Sequence, residues 1–426
     1  MSDNTVKLAS PGPRSVMAKL ILIAIVTLAG IGLGALAFEV AVRVAVPVSD
    51  FFYEFDPHVG TKGIPNKTGY AVRRGVFTTP VSMNSHGFRD REHGWSKPAG
   101  TRRVVVLGDS FVEALQVPFE RSVTPLLEAK VGQAAGSVEF INLGLSGFGT
   151  GRQYLMLREY GLRYQPDLVV LFLVGNDISD NSRRLQGKPF LPYPLPAGDG
   201  TLARDERGQP RFSTFADQTS ALGSIAAFLR NRSKGYRVVR EAIDGSTAVN
   251  GLLYRVGLMS TPPEQVNRTT GDNFGFYEIY RQQPTPAWAE AWALTEGMLL
   301  ATRDLAAAHG APFVVVTVPA AWEVYPDQWQ GILQRVPAMR DVAMDLELPS
   351  KRLGRFLAAH GIPNVSLLDE FRARARTSPA LYVAGDAHWT ADGHRLAADL
   401  LAAPVSGLIA SKGGAVASAD GQVRTR

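Results

Sequence analysis

The stretch VVVLGDSFVE, residues 104–113, combines a buried strand with a turn that can present a nucleophile. It opens with β-branched and bulky apolar residues, the pattern of a parallel strand covered on both faces. Gly108 then permits a sharp turn, which places Ser110 beyond the carboxyl end of the strand. Open α/β sheets bind ligands at that edge, so Ser110 is a candidate nucleophile. Asp109 and Ser110 are also ordinary turn and helix-capping residues, and the stretch alone leaves both interpretations open.

Further apolar runs of the same kind follow, and helical patterns separate them. Strands are predicted at residues 138–142, 167–174, 312–318 and 365–368, and helices at residues 118–131, 152–164 and 350–361. Strands that alternate with helices predict a parallel sheet with right-handed crossovers. We therefore predict an α/β fold, a three-layer sandwich in which helices cover both faces of a five-stranded parallel sheet.

The composition narrows the classes of site that the chain can hold. Its 426 residues are 45% hydrophobic, which is enough for a sizeable core. It has no cysteine, and its seven histidines are scattered without a metal-ligand spacing, so we predict no metal and no cofactor. The net charge of +6 is modest for this length, and no nucleic-acid-binding module is evident. We therefore expect no nucleic-acid partner.

Four short blocks in order resemble the SGNH hydrolases, also called GDSL-type esterases. They are GDSF at residues 108–111, NLGLSG at 142–147, GND at 175–177 and DAHW at 386–389. The resemblance covers residues 102–181 and 311–401, which leaves the N-terminus and the middle of the chain outside it. It implies a flavodoxin-like sheet of strand order 2-1-3-4-5, with the site at the carboxyl ends of the first three strands.

Attack on an ester carbonyl needs a serine, a base and donors for the oxyanion. Ser110 is the predicted nucleophile and contributes its own backbone N–H to the oxyanion hole. Gly147 supplies a second backbone N–H, and the Asn176 side chain supplies an amide N–H. A structural interpretation stays open for each of the last two residues: Gly147 as a residue that only permits a positive φ, and Asn176 as a residue that only caps a helix.

His388 is the predicted base, and Asp386 is the acid that orients its ring. The acid of the resembled family usually lies three residues before the histidine, whereas Asp386 lies two before it, and Trp389 replaces the usual proline. Gly393 keeps the family spacing after His388. His394 is the alternative base, although we expect it on the following helix. The D-x-H-W form is similar to proteins that O-acetylate alginate, which raises acyl transfer as a rival to hydrolysis.

Residues 20–38, LILIAIVTLAGIGLGALAF, form an uninterrupted run without charge. A helix needs about 20 apolar residues to cross a bilayer. We therefore predict a retained transmembrane anchor at residues 20–46, in contact with inner-membrane lipid. A cleaved signal peptide is the alternative, because Ala35 and Ala37 match a small-residue cleavage pattern.

Three basic residues precede the run: Lys7, Arg14 and Lys19. The positive-inside rule therefore places residues 1–19 in the cytoplasm. The rest of this single-pass membrane protein, with its catalytic domain, is predicted to be periplasmic or otherwise extracytoplasmic.

The remaining chain divides by composition. Residues 50–100 are rich in aromatic residues, Pro and Gly, and we predict a β-rich juxtamembrane spacer. The catalytic domain is predicted at residues 101–405, and a disordered tail at 406–426. An insertion at residues 183–285 is too long for a plain loop, so we predict a lid with helices of its own that sets substrate choice.

The insertion carries the cationic run RNRSKGYRVVR, residues 230–240. It has five basic residues and no acidic one. Anionic lipid headgroups, an acidic glycan and a solvated helix face are all consistent with that pattern.

The first functional hypothesis is a membrane-anchored serine esterase that removes acyl groups, chiefly acetyl, from an envelope or secreted polysaccharide or a small ester. An O-acetyltransferase with the same triad is the near alternative. The second class is a non-catalytic scaffold or glycan-binding subunit of an envelope polysaccharide machine. The glycan is an inference from location and resemblance.

Overall fold

A computed structural model describes most of the chain. The described residues are 13–135, 137–187, 191–214, 228–230, 232–246, 249, 251–252, 255, 274–377 and 380–420. The strands are β1 (Tyr53–Asp56), β2 (Gly60–Gly63), β3 (Thr68–Arg73), β4 (Phe77–Ser82), β5 (Arg102–Leu107), β6 (Val138–Asn142), β7 (Leu168–Leu173), β8 (Phe313–Thr317) and β9 (Asn364–Ser366). The first helices are α1 (Pro13–Ala45), α2 (Ser110–Glu113), α3 (Val123–Ala135), α4 (Thr150–Glu159), α5 (Gly175–Asp180), α6 (Arg183–Gln186) and α7 (Lys234–Gly245). The later helices are α8 (Pro286–Ala308), α9 (Ala321–Val324), α10 (Pro326–Arg335), α11 (Leu348–Ala359), α12 (Leu368–Ala375) and α13 (Ala391–Asp420).

The central sheet has five strands in the order β6-β5-β7-β8-β9. All neighbouring pairs are parallel, as in the register that sets Val104 opposite Phe140 on one side and Leu168 on the other. The predicted α/β fold and strand order 2-1-3-4-5 are confirmed. β5 therefore lies inside the sheet, and the turn that follows it opens at the carboxyl edge.

Successive residues of β5 point to opposite faces of the sheet. Val104 and Val106 join a core cluster with residues of α3 and α13, whereas Val105 and Leu107 join a second cluster with residues of α4 and α8. All of these side chains are buried, and complete burial of a side chain of this size is worth about 1.5–3 kcal/mol. The two helical layers therefore explain why the strand is apolar without interruption.

Several element boundaries differ from the predictions. The helix expected from residue 118 begins at Val123, because residues 119–121 form a 3₁₀ turn. The last strand is shorter than expected and ends at Ser366, where Leu367 caps the next helix and packs in the core instead.

Helix α13 extends to Asp420, into the segment 406–426 for which a disordered tail is predicted, and the disorder of that segment stays a prediction. Val405 and Ile409 are buried in the core cluster beneath α13, and this helix packs against α3. Burial of these apolar side chains outweighs the small, polar composition of the segment. Residues 421–426 lie outside the described residues.

Residues 53–82 form two antiparallel hairpins, β1–β2 and β3–β4. They are tied to the chain before and after them. Asp50 bonds to Tyr70 through both its backbone N–H and its carboxylate, and the buried Arg89 donates to the carbonyls of Glu113, Ala114 and Val117. The segment is therefore packed onto the catalytic domain and is more than a spacer.

Helix α1 is long and apolar enough to cross a membrane over Met17–Ala45, with a mean hydropathy of 2.6 and none of its most apolar window buried against the protein. Of the insertion at residues 183–285, the described parts include α6, α7, a 3₁₀ helix at Gly275–Tyr280 and isolated antiparallel bridges such as Pro196 with Leu202. The lid role stays a prediction, and residues 188–190, 215–227 and 256–273 are among those outside the described residues.

Gly144 tests how tightly the nucleophile turn is packed. A Cβ there would lie 2.5 Å from Val112 Cβ and 2.7 Å from the Glu113 nitrogen, so Gly144→Ala is expected to destabilise the fold by about 1–3 kcal/mol. Gly132→Ala is the matched control, because nothing lies within 4 Å of its Cβ position on α3, and it should stabilise by roughly 0.5–1 kcal/mol. Thermal unfolding of the two full-length variants measures both shifts, and equal midpoints would contradict the close packing.

Candidate active site

The turn after β5 holds Ser110 at the start of the short helix α2. Asp109 caps that helix, and its carboxylate accepts the Phe111 N–H at 2.9 Å. Gly108 is required by the close approach of Val112, since a Cβ at Gly108 would lie 2.3 Å from a methyl carbon of Val112. The turn therefore presents a partly exposed hydroxyl on a rigid base.

Ser110, His388 and Asp386 form a continuous hydrogen-bonded chain. His388 Nε2 lies 2.7 Å from Ser110 Oγ, and His388 Nδ1 is hydrogen-bonded to Asp386 Oδ1. The same carboxylate oxygen accepts the His388 backbone N–H at 3.0 Å. The structure thus brings together the three residues that the sequence nominated as nucleophile, base and acid.

Asp386 is held in its ionised form although its side chain is largely buried. Burial alone raises the pKa of this carboxyl, but hydrogen bonds from His388 and from Arg73 outweigh it and lower the pKa to about 2. Arg73 Nη1 lies 2.5 Å from Asp386 Oδ2. A negative Asp386 favours the ring tautomer that leaves Nε2 free to accept the serine proton.

Arg73 was not among the residues predicted from the sequence. It stands at the end of β3, 313 positions before Asp386, within the segment interpreted as a spacer. Nothing in the local pattern distinguishes it from the neighbouring Arg74. Only the packing of the hairpin beside the 386–388 loop reveals its role.

Trp389 anchors the histidine loop in the core, with no exposed surface. Its ring lies edge-on to Phe111 at 5.1 Å between centroids, and the Phe111 ring is 5.0 Å from that of His388. The tryptophan that replaces the usual proline therefore packs the base against the helix that carries the nucleophile. This packing fixes the loop that carries Asp386 and His388.

His394 is not placed to act as the base. It lies on α13 with 1% of its surface exposed, behind the Trp389 ring. Burial, with the positive charges of Arg89 and His388, lowers the pKa of His394 to about 3, so its ring stays neutral at physiological pH.

Two of the predicted oxyanion donors are backbone N–H groups. In the described part of the chain, neither the Ser110 nor the Gly147 N–H is committed to a protein acceptor. Gly147 is exposed and has a φ of +73°, so glycine is needed there for the turn as well. Arg152 donates to the Gly147 carbonyl at 3.1 Å, which ties this turn to helix α4.

Asn176, the third predicted donor, lies beside the nucleophile turn but already has partners. Its Nδ2 donates to Asp109 Oδ2 and to Asp180 Oδ2, each at 3.0 Å. To donate a hydrogen bond to an oxyanion, the Asn176 amide must therefore break its bond to one of these carboxylates.

Burial and the charges of Asp109 and Asp180 raise the pKa of Asp177 well above its usual value. Despite these carboxylates, the described residues contain no group that could hold a metal ion.

Glu113 supports the loop that carries Gly147, and it was not among the residues predicted from the sequence. Its fully buried carboxylate accepts the Ser146 N–H at 2.9 Å, the Ser146 hydroxyl and the Tyr53 hydroxyl at 2.8 Å. Burial raises the pKa of Glu113, and these donors oppose that rise. The buried Glu113 side chain on α2 thereby fixes the loop of Ser146 and Gly147 relative to the helix that begins at Ser110.

A groove of about 980 Å³ borders the loop that carries Asp386. Aromatic side chains line much of it: Tyr277, Trp322, Tyr325 and Tyr382. Trp322 is oriented by a 2.7 Å hydrogen bond from its ring nitrogen to the Tyr280 hydroxyl, which donates in turn to the buried Glu323. Charged side chains at the groove include Arg73, Asp327 and Arg335. Aromatic faces beside hydrogen-bonding groups suit a ligand with both C–H and hydroxyl surfaces.

Comparisons with known proteins agree with the site. A family model described as "GDSL-like Lipase/Acylhydrolase family" matches residues 106–336, more than half of the chain. A second model, described as "SGNH hydrolase-like domain, acetyltransferase AlgX", matches residues 276–424 and includes Asp386 and His388. No curated protein matches the chain.

Several solved structures are similar to the chain. TesA is 12% identical, with 72% of this chain and 99% of that chain covered and a TM-score of 0.37. A putative acylhydrolase from Bacteroides fragilis is 14% identical, with 74% of this chain and 92% of that chain covered and a TM-score of 0.34. The acetyl xylan esterase AlAXEase is 13% identical, with 71% of this chain and 99% of that chain covered and a TM-score of 0.34. Similarity at this level carries no information about the substrate of this chain.

Arg73→Gln tests the support of the acid. An exposed ion pair is worth about 0.2–1 kcal/mol, so we expect kcat/KM to fall by at most about fivefold on an acetyl ester. The rate at which a small fluorophosphonate labels Ser110 should fall in parallel, because that probe needs the triad and no glycan contacts. Arg74→Gln, the exposed neighbour on the same hairpin, should leave both rates unchanged. An unaltered labelling rate in Arg73→Gln would show that Asp386 needs no such partner.

Proposed function

The chain belongs to the GDSL-like lipase/acylhydrolase family, and we propose that it is a membrane-anchored serine esterase that removes acyl groups, chiefly acetyl, from an envelope or secreted polysaccharide. The observation that carries the proposal is the hydrogen-bonded chain from Asp386 through His388 to Ser110. Such a chain supplies the nucleophile, the base and the orienting acid of acyl transfer.

In the first half of the reaction, Ser110 Oγ attacks the ester carbonyl while His388 Nε2 takes its proton. The carbonyl oxygen becomes an oxyanion, which the Ser110 and Gly147 N–H groups and the Asn176 amide stabilise. The C–O bond to the sugar then breaks, and His388 returns the proton to the leaving hydroxyl. The acyl group remains on Ser110 as an ester.

In the second half, His388 takes a proton from a water molecule, which attacks the acyl-enzyme and releases the acid. Ionised Asp386 stabilises the imidazolium in both halves and stays a carboxylate throughout. Its pKa of about 2 is consistent with that role, because the group remains negative over the whole physiological range.

The groove supports a carbohydrate substrate. Its aromatic side chains offer flat faces to the C–H surfaces of sugar rings, and its charged groups offer partners for hydroxyls. The location supports an envelope or secreted glycan, because α1 is suited to span the inner membrane. Basic residues ahead of α1 favour a cytoplasmic N-terminus and therefore an extracytoplasmic catalytic domain.

Acetyl transfer is the second candidate function. The match of residues 276–424 to a model described as an acetyltransferase domain favours it. The chemistry differs only in the last step, in which a sugar hydroxyl replaces water as the acceptor. Transfer and hydrolysis are therefore separated by the acceptor that receives the acyl group, and an envelope polysaccharide machine is a natural partner for a transferase.

Ser110→Ala tests the nucleophile. Loss of the hydroxyl removes the acyl-enzyme, so turnover of a chromogenic acetyl ester by the full-length protein should fall by at least about a thousandfold. A fluorophosphonate should label the wild type at Ser110 and leave the variant unlabelled. Ser137→Ala, an exposed serine at the start of β6, serves as the control and should retain full turnover.

The same assay separates the alternatives when an acetyl donor and an acceptor glycan are both present. Acetate released into water supports the esterase, and acetylated glycan supports the transferase. A wild type that neither turns over the ester nor reacts with the probe would overturn both and favour a non-catalytic scaffold.

A further inference from the structure

Helix α7 of the insertion is fastened to the end of α1 by Glu39. The Glu39 carboxylate accepts the Ser233 hydroxyl at 2.7 Å and the backbone N–H groups of Lys234 and Gly235 at 3.0 and 2.8 Å. Glu39 therefore caps the first turn of α7, although it lies 194 residues before Ser233.

Two further contacts fix this junction. Arg43 bonds to Glu39 and donates to the Arg232 carbonyl, at 2.6 and 2.5 Å. Gly235 is buried against α1, since a Cβ there would lie 3.0 Å from the Phe38 ring. The first turn of α7 is thus held where the uncharged run of α1 ends.

This position has a consequence that rests on the proposed membrane anchor. If residues 20–38 fill the hydrocarbon layer, Glu39 and Arg43 lie at the membrane surface beyond it. Helix α7, capped by Glu39, then starts at the same depth. The first turn of α7 therefore lies in the interface between the membrane and water.

The exposed surface around α7 combines apolar and cationic side chains. Phe228, Val239 and Leu252 are 63%, 46% and 59% exposed. None of them belongs to a hydrophobic cluster among the described residues. The nearby cations are Arg230, Arg232, Lys234 and Arg240. Apolar side chains next to clustered Lys and Arg are the pattern of a helix that lies in a lipid interface.

Two acidic side chains at this junction have partners among the described residues. Glu39 is bound to Ser233 and Arg43, and Asp50 lies 3.6 Å from Arg237. The Arg230 guanidinium lies 5.2 Å from the centre of the Phe51 ring. Residues 228–246 carry five basic residues and two acidic ones, Glu241 and Asp244, and this excess of positive charge complements anionic headgroups.

We propose that Phe228, Arg232, Val239, Arg240 and Leu252 form a lipid-binding surface on the outer leaflet of the anchored membrane, its ligand an anionic phospholipid bilayer. The apolar side chains enter the boundary between headgroups and acyl chains, and the arginines bind phosphates. Through Arg237 and Asp50 this surface is joined to the hairpins, one of which carries Arg73. Lipid contact therefore sets the orientation of the active site above the membrane.

The test uses the absence of cysteine from the chain. Val239→Cys and Ala308→Cys, in the full-length protein, are labelled with a polarity-sensitive fluorophore and placed in nanodiscs with or without phosphatidylglycerol. Ala308 is exposed at the end of α8 that leads to the amino end of β8, away from the active-site edge. We expect a blue shift and quenching by lipid-borne nitroxides at position 239 and neither effect at position 308.

The charge contribution is tested by Arg232→Gln with Arg240→Gln in the Val239→Cys background. The blue shift in phosphatidylglycerol discs should decrease, whereas turnover of an acetyl ester, which needs only the triad, should persist. A label at position 239 that is as water-exposed as the control in both lipids overturns the surface alone. A chain that does not enter the disc overturns the anchor and this surface with it, while ester turnover reports separately on the esterase.

Discussion

The hydrogen bond between His388 Nε2 and Ser110 Oγ joins residues 278 positions apart, and the rest of the fold serves to maintain it. Ser110 follows β5, an interior strand of the sheet. His388 precedes α13, which packs on α3, the helix that returns from the nucleophile turn. Because α3 and α13 cover the same face of the sheet, the two ends of the bond are held by one helical layer. The buried Trp389 sets the loop against that layer.

Buried carboxylates hold the loops at the carboxyl edge of the sheet. Asp109 caps α2, and Glu113 binds the loop of Gly147. Asp177 accepts the Val174 N–H of its own turn and a side-chain N–H of Gln153 on α4. Burial raises the pKa of each, and hydrogen bonds oppose the rise. A buried group left without such partners would cost about 1–3 kcal/mol, so each of these acids favours one loop conformation over others. The backbone N–H groups predicted as oxyanion donors, those of Ser110 and Gly147, therefore lie on loops whose conformation is set before substrate binds.

The N-terminal part of the chain is structurally continuous with the active site. Helix α1 binds α7 through Glu39, and strand β3 in the hairpins that follow α1 ends at Arg73, which contacts Asp386. The hairpins also supply Tyr53 to Glu113. The active site is therefore completed by residues that precede the nucleophile in the chain. A catalytic domain cut at residue 101 would lose both Arg73 and Tyr53.

Local pattern was sufficient for the sheet, and the family resemblance was needed as well to propose the triad. Unbroken apolar runs indicated parallel strands, and their alternation with helices indicated the α/β fold, because burial on both faces permits only apolar residues. Ser110 was a candidate from its position after the first of these strands, whereas Asp386 and His388 were nominated through the resemblance of residues 386–389 to a block of the SGNH hydrolases. The contacts of Val405 and Ile409 with the core were not evident from the sequence, because the residues around them are mostly small.

Tertiary structure alone decided which charged residues support that triad and where the insertion attaches. Arg73 and Asp386 are 313 positions apart, and Glu39 and Ser233 are 194 apart, so no periodicity or spacing connects them. An arginine on a hairpin and a glutamate after an apolar helix both look like solvated residues in the sequence. Hydrophobic burial is encoded locally because each buried side chain is itself apolar, whereas an ion pair or a cap exists only when folding brings two polar groups to the same place.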